Sequence, residues 1–210
     1  PVEEHVSSQC QSGRVARQPC TLKTMWYSAK DNRQPQGPPL QPQANTWGKL
    51  GEVLDIMSIN VTSLARQGDL LKKMAKHLIF MQEHSASFAV LAEWKHDMRK
   101  KGWQLEASPG GKGAGVAAMA RSPLKLVPHI TANQEYHRYH GLGRLAIYLL
   151  EIAGQEVMVA NVYGYTGGHT DLEAAQGTDD IIAVIIDEVE KKVRKIPIMI
   201  VGDLNADVDD

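Results

Sequence analysis

Ile196-Pro197-Ile198-Met199-Ile200-Val201-Gly202-Asp203-Leu204-Asn205-Ala206-Asp207 is the stretch whose reading decides the fold. Its short apolar run predicts a buried strand. The run breaks at Gly202, and the next residues offer a carboxylate and a carboxamide. Asp203 and Asn205 alternate along the backbone, so both point to one side while the chain stays extended. A buried strand that releases polar groups at its carboxyl end is how many sheet enzymes place an active site. The competing reading is a strand followed by an Asx turn, with Asp and Asn capping backbone groups. The rest of the chain has to separate the two.

The chain has 210 residues, enough for one or two domains and a sizeable core. Apolar residues make up 43% and charged residues 22%, which is ordinary for a globular protein. Lys plus Arg total 23 against 24 Asp plus Glu, a net charge of −1. No global field draws the chain onto nucleic acid, so such binding needs a local basic patch. The two cysteines, Cys10 and Cys20, show no CxxC or Cys/His zinc spacing. No apolar run is long enough for a membrane helix, and the start lacks a signal-peptide pattern. The chain opens on Pro1 and stops at Asp210, which sets the expectation of a piece of a longer protein.

Residues 1–48 carry Gln, Ser, Pro and Arg without apolar periodicity and are expected to form a disordered Pro/Gln-rich linker. Residues 49–210 are expected to form one domain. Val53 to Asn60 reads as a strand, and Asp69 to His77 as a helix with Leu70, Leu71 and Met74 inward. Leu78 to Met81 is a second strand running into Gln82-Glu83-His84. A helix follows over Ala86 to Lys101, with Phe88, Leu91, Ala92 and Met98 facing the core. Trp103 to Ala107 and Val116 to Ala120 read as strands around Pro109-Gly110-Gly111-Lys112-Gly113-Ala114-Gly115. That loop lacks the Gly-Lys-Ser/Thr order that opens the helix of a phosphate-binding P-loop, and it reads as a flexible connection. Arg144 to Ile152 and Glu156 to Val162 form a hairpin across Ala153-Gly154. Asp171 to Lys195 is a long amphipathic helix feeding the opening strand. Helices between strands with a hairpin-rich middle predict an α/β sandwich with two sheets.

The strands end alike. One ends at Asn60, one at Gln82-Glu83, one at Asn161 and Tyr163, and one at Asp203 and Asn205. Ends on one edge face one solvent pocket. A carboxylate beside an Asp/Asn pair suits a hard cation such as Mg²⁺, which takes oxygen ligands and keeps several waters. Asn60, Asn161, Asn205 and the Tyr163 hydroxyl can donate to phosphate oxygens, and Asp203 can orient or deprotonate water.

Ser58-Ile59-Asn60-Val61-Thr62-Ser63-Leu64, Phe80-Met81-Gln82-Glu83-His84, Gly115-Val116-Ala117, Asn161-Val162-Tyr163 and Val201-Gly202-Asp203-Leu204-Asn205 occur in the order of the endonuclease/exonuclease/phosphatase superfamily. The chain resembles that family from about Val53 to Asp207, and is most similar to the endonuclease domain of non-LTR (LINE-like) retroelements. The resemblance implies a DNase I-like two-sheet α/β sandwich and a Mg²⁺-dependent phosphodiester hydrolase, with Mn²⁺ as an alternative metal and DNA as partner. It implies Glu83 as the metal-binding glutamate and Asn60 as support for metal and phosphate. Tyr163 is then the phosphate-contacting tyrosine, Asp203 the residue that positions the attacking water, and Asn205 the stabiliser of the phosphate's developing charge. Leu204 stands where phenylalanine is common in the family.

The family also carries a later Ser-Asp-His motif, which these residues lack. The literal chain is therefore expected to be C-terminally truncated and inactive as it stands, with an exposed sheet edge. His84 adjoins Glu83 but points the other way in an extended strand. His137 and His140, in Tyr136-His137-Arg138-Tyr139-His140, read as residues of a loop, where an ordinary loop outweighs a His/His metal site. The motifs leave open a phosphatase, or an RNA or lipid phosphodiesterase, because substrate choice in such a fold lies in loops such as 109–115 and 129–143.

Overall fold

Alternation along the strands sorts the side chains into three cores. The computed structural model describes residues 21–27, 53–71, 73–152, 155–168, 170–192 and 195–205. The element order is β1 (Thr21–Tyr27), β2 (Val53–Asn60), α1 (Leu64–Leu71), β3 (Leu78–Gln82), α2 (Phe88–Lys100), β4 (Trp103–Ala107), β5 (Ala117–Arg121), β6 (Leu126–Pro128), α3 (Gln134–Gly141), β7 (Leu145–Ile152), β8 (Gln155–Tyr163), α4 (Leu172–Glu190) and β9 (Ile198–Asp203). One sheet has the order β1-β2-β3-β5-β4 and the other β6-β7-β8-β9. Leu54, Ile56, Leu78 and Phe80 of the first sheet meet Ala146, Tyr148, Val159 and Val201 of the second. The opposite face of the first sheet buries Met57, Ile79 and Met81 against Leu64, Trp94 and Met98 of α1 and α2. The outer face of the second sheet buries Met158, Ala160 and Val162 against Tyr136, Tyr139, Ile181 and Ile185 of α3 and α4. The result is helix, sheet, sheet, helix, the two-sheet α/β sandwich expected from the strand pattern. Among the described residues no helix is long and apolar enough to cross a membrane.

Several local expectations need correction. Thr21–Tyr27, inside the stretch expected to be a linker, forms β1 and pairs in parallel with β2. Its Thr, Leu, Met, Trp and Tyr favour a strand, a signal masked by the Gln- and Pro-rich surroundings. The first helix is Leu64–Leu71, not Asp69 to His77. Leu64 and Leu71 are buried seven residues apart while Leu70 is exposed. Phe88 is 87% exposed rather than inward, because it opens α2 just past the N-cap Ser87. His137 and His140 sit on α3, capped by Asn133, and not in a loop. The last helix ends at Glu190, before the expected Lys195. Val193 and Arg194, inside the stretch expected to be helical, lie outside the described residues. The second strand of the first sheet, the hairpin of β7 and β8 (now Gln155–Tyr163) and β9 fall where the periodicity puts them.

One side chain joins the two sheets. Asn161 of β8 is fully buried and donates through Nδ2 to Met81 O at 3.1 Å and Ala117 O at 2.9 Å. Those carbonyls belong to facing residues of β3 and β5. Its Oδ1 accepts from Gln82 Nε2 at 2.7 Å, and Gln82 Nε2 also lies 3.2 Å from Ser58 Oγ. No buried side-chain polar atom among the described residues lacks a partner. Replacing Asn161 by Leu strands two carbonyls and one amide. We expect a loss on the order of 3 kcal/mol or more, read as a lowered urea midpoint with an unchanged slope.

A second buried link holds the 129–133 segment to α4. Glu188, 2% exposed in its side chain, accepts from His129 Nε2 at 2.7 Å, Asn133 Nδ2 at 2.9 Å and Lys191 Nζ at 3.1 Å. Burial alone raises its pKa, but bonds from His129, Asn133, Thr131 and Lys191 outweigh burial and hold it down at about 2. Its folded value lies below the ordinary 4.5, so this stabilisation is complete above 4.5 and is lost as pH falls from there through about 2. Glu188→Gln should be less stable at neutral pH, and its unfolding by circular dichroism should depend less on pH across that window.

Candidate active site

Parallel pairing brings the strand ends to one rim. Asn60 is the register partner of Gln82 in β2 and β3, and Tyr163 of Asp203 in β8 and β9. Inner-face alternation then aims Asn60, Tyr163 and Asp203 between the sheets at their carboxyl ends. Glu83 follows β3 directly. Two hydrogen bonds cross from sheet to sheet at this rim. Asn60 Nδ2 donates to Asp203 Oδ2 at 3.0 Å, and the Tyr163 hydroxyl donates to Glu83 Oε1 in a short contact. The remaining oxygen of Asp203 accepts from the Asn205 amide at 3.1 Å, the Asx turn that the sequence offers as an alternative. The turn and the site coexist on the same residues.

Backbone strain gathers here. Among the described residues the non-glycine positions with positive φ are Thr62 (54°), Glu83 (55°), Ser85 (48°) and Asn205 (52°). Each follows the end of a strand on this rim. Left-handed backbone costs roughly 1–2 kcal/mol per L-residue, and persists where surrounding contacts over-determine it. Asn60 Oδ1 accepts from Thr62 N at 3.1 Å, and Asn205 Nδ2 donates to Gly164 O at 3.0 Å. Gly164 itself is required, because a Cβ there would run into the carbonyl of Leu204.

Tyr163 is 2% exposed. Burial first, and then its bond to Glu83, push its pKa up, while Thr166 and the Arg144 guanidinium pull it down. The phenol therefore stays protonated at neutral pH and acts as a donor. Arg144, which the sequence marks only as the first residue of the hairpin, lies 4.4 Å from the Tyr163 ring centre and 4.5 Å from that of Tyr165. Its Nη1 donates to Gly164 O at 2.8 Å, the carbonyl that also takes Asn205 Nδ2. No periodicity marks Arg144. The only hint is its place at the start of a strand paired with the Tyr163 strand.

The structure brings together Asn60, Glu83, Tyr163, Asp203 and Asn205. Asn161, also offered from the sequence as a phosphate donor, is not part of the open rim, because its amide is spent on the inter-sheet link. His84 is fully buried, but strand alternation is not what turns it, because β3 ends at Gln82 and Glu83 between them is left-handed. His137 sits on α3 with Nε2 2.8 Å from Thr131 O, in the outer layer. Among the described residues no group of three or more His, Cys, Asp and Glu is placed to hold a metal ion by itself. The donor set at the rim is thus Glu83, Asp203 and amide oxygen. That is too sparse for a closed zinc or calcium cage, and it suits Mg²⁺, which is held by one or two carboxylates and keeps its waters. Among the described residues Glu83 has the Tyr163 hydroxyl as its one hydrogen-bond partner, so its other oxygen remains available to a cation.

Comparison with known proteins gives a fold. No protein-family model matches the chain. No curated protein matches it either. Among solved structures, the chain is similar to a 3'-5' exonuclease (NExo) from Neisseria meningitidis, with TM-score 0.53 and 18% identity over 72% of this chain and 58% of that one. It is similar to a humanized D. rerio TDP2, with TM-score 0.52 and 16% identity over 74% of this chain and 67% of that one. It is also similar to a variant of the 3' phosphatase NExo from Neisseria bound to product DNA hairpin, with TM-score 0.51 and 19% identity over 74% and 60%. The fold is accordingly a DNase I-like α/β sandwich. The chain spans about three fifths of the length of the first of these structures.

Arg144 offers a direct check on how the rim is held. Lysine keeps the charge but loses the planar stack on two rings and the fixed donor to Gly164 O. Arg144→Lys should cost about 1–2 kcal/mol in urea denaturation, against a near-neutral change for Arg99→Lys on the exposed end of α2.

Proposed function

We propose that the protein is a metal-dependent phosphodiester hydrolase acting on DNA, an endonuclease of the kind that serves non-LTR retroelements. The observation that carries this is the pair of inter-sheet bonds, Tyr163 to Glu83 and Asn60 to Asp203, at the carboxyl rim of four strands. Glu83, with Asn60 beside it, would hold Mg²⁺ or Mn²⁺. Such an ion, when bound, polarises the phosphate and stabilises the leaving oxygen. Asp203 receives the proton of the attacking water, or aligns that water in line with the leaving group. Asn60 keeps the Asp203 carboxylate in place for that task. Tyr163, held protonated, and Asn205 donate to the non-bridging phosphate oxygens as charge builds on them. The five ordered motifs support the phosphodiester hydrolase; retroelement service rests on the overall resemblance of Val53 to Asp207 to such endonuclease domains, and DNA on the product DNA held in a structural neighbour.

The test is Mg²⁺-dependent nicking of supercoiled plasmid by a form of the protein extended past Asp210, and by its Glu83→Ala and Asp203→Ala variants. Each substitution should lower kcat/KM by about 100-fold or more, while urea denaturation shows the variant folded and destabilised by no more than about 1–3 kcal/mol. Chelation of the metal should stop the reaction, and restoring it should recover the rate. Undiminished nicking in both variants would sink the assignment.

A further inference from the structure

The glycine-rich loop at 109–115 has no part in the chemistry above, yet two of its glycines are there for a definite reason. A Cβ on Gly110 would sit 2.5 Å from Cε1 of the His84 ring, and one on Gly115 would collide with three atoms of that ring. The space that side chains would fill is occupied by the imidazole of His84, which is fully buried. Its polar atoms are both engaged. The Ala86 amide donates to Nδ1 at 3.1 Å, so Nδ1 is an acceptor. Nε2 lies 3.3 Å from the Ser108 carbonyl and therefore carries the proton. The ring is thus a wedge between the turn after β3 and the loop that leads into β5.

Around the wedge the main chain is closely tied. His84 N donates to Gly115 O at 3.3 Å, Ser85 N to Ala114 O at 3.0 Å, and Leu64 N to His84 O at 2.9 Å. Gly113 N donates to Ser85 Oγ at 3.1 Å. Gly115 N reaches on to Gly143 O at 3.1 Å, one residue before Arg144. The two left-handed residues Glu83 and Ser85 flank His84 directly. Removing the ring would empty the site between them and release the loop that holds both.

We propose that His84 is a positioning residue for the Glu83 carboxylate, its buried ring seated against Gly110 and Gly115 and fixing the left-handed turn that aims Glu83 at the rim. The proposal rests on reading Glu83 as the metal ligand. It assigns the glycine-rich loop a task in place of phosphate binding: it is the seat of a histidine that never meets substrate.

Mn²⁺ binding to the full chain, followed by electron paramagnetic resonance, tests this without reference to turnover. His84→Ala should weaken Mn²⁺ by about 10-fold or more, the usual cost of losing support behind a ligand. Gly110→Ala should weaken it similarly by pushing on the ring. Gly111→Ala, whose added methyl meets nothing within 4 Å, should leave it unchanged. In the His84→Ala background, Gly110→Ala should bring no further loss. Should His84→Ala fail to fold, the contrast between Gly110→Ala and Gly111→Ala at matched urea midpoints still decides. Unchanged Mn²⁺ affinity in His84→Ala or Gly110→Ala, with binding abolished by Glu83→Ala, overturns the positioning role and leaves the site assignment standing. Mn²⁺ binding indifferent to Glu83→Ala overturns the site assignment, and the positioning role with it.

Discussion

The carboxamide of Asn161 is the constraint on which the rest depends. A sandwich core made of Leu54, Ile56, Phe80, Val159 and Val201 is apolar and non-directional. Such packing tolerates one sheet sliding or rotating by a fraction of a residue against the other. Two hydrogen bonds from one buried amide to Met81 O and Ala117 O do not. They cost the chain a full desolvation penalty unless both are made, so they set the phase between the sheets. Tyr163 lies two residues further along the same face of β8, and Glu83 two residues past Met81. Their meeting across the gap follows from the phase that Asn161 imposes.

The rim itself is strained and is held from behind. Thr62, Glu83, Ser85 and Asn205 all carry left-handed backbone. What over-determines each conformation is visible: the Asn60 side chain for Thr62, the His84 wedge for Glu83 and Ser85, and the Gly164 carbonyl for Asn205. Gly164 O collects two donors, one from Asn205 and one from Arg144. The guanidinium in turn stacks on the Tyr163 ring. Tyr163 and Asn205 are therefore braced by one cation. This arrangement fits a site preorganised before substrate arrives rather than assembled by it.

The strands of the site are legible in the sequence because each carries a local signal: an apolar run that stops at a polar residue. Asn60, Glu83, Tyr163 and Asp203 all lie at such stops, and the structure gathers all four. What the sequence conceals is whatever depends on contacts between distant segments. Arg144 looks like any surface arginine until β7 is laid beside β8. Gly110 and Gly115 look like flexible loop residues until the His84 ring is placed against them. Asn161 and Tyr163 both carry a polar tip, two residues apart, and only their hydrogen-bond partners show that the first is spent on the fold. Helix α1 falls outside the sequence expectation because Leu70, Leu71 and Met74 mimic a helical stripe, whereas the buried stripe runs through Leu64 and Leu71, with Gly68 against Trp94. Strand β1 escapes a reading by composition, which averages it with its Pro- and Gln-rich surroundings.

Depth also explains a repeated pairing of residue types. On β3 the order is Gln82 then Glu83, and on β8 it is Asn161 then Tyr163. In each case the first group is a neutral amide, 1% exposed or less, and it bonds across the sheets. The second stands at the rim beside its counterpart from the other sheet. A carboxylate one step deeper would be desolvated without a cation to compensate it, at a cost of several kcal/mol. An amide one step further out would offer a metal only a neutral oxygen. The change from buried amide to acid or phenol therefore marks the boundary between the part of each strand that holds the sandwich together and the part that ends at the candidate site. The boundary falls at the same level on both sheets because the Asn161 link sets them in register.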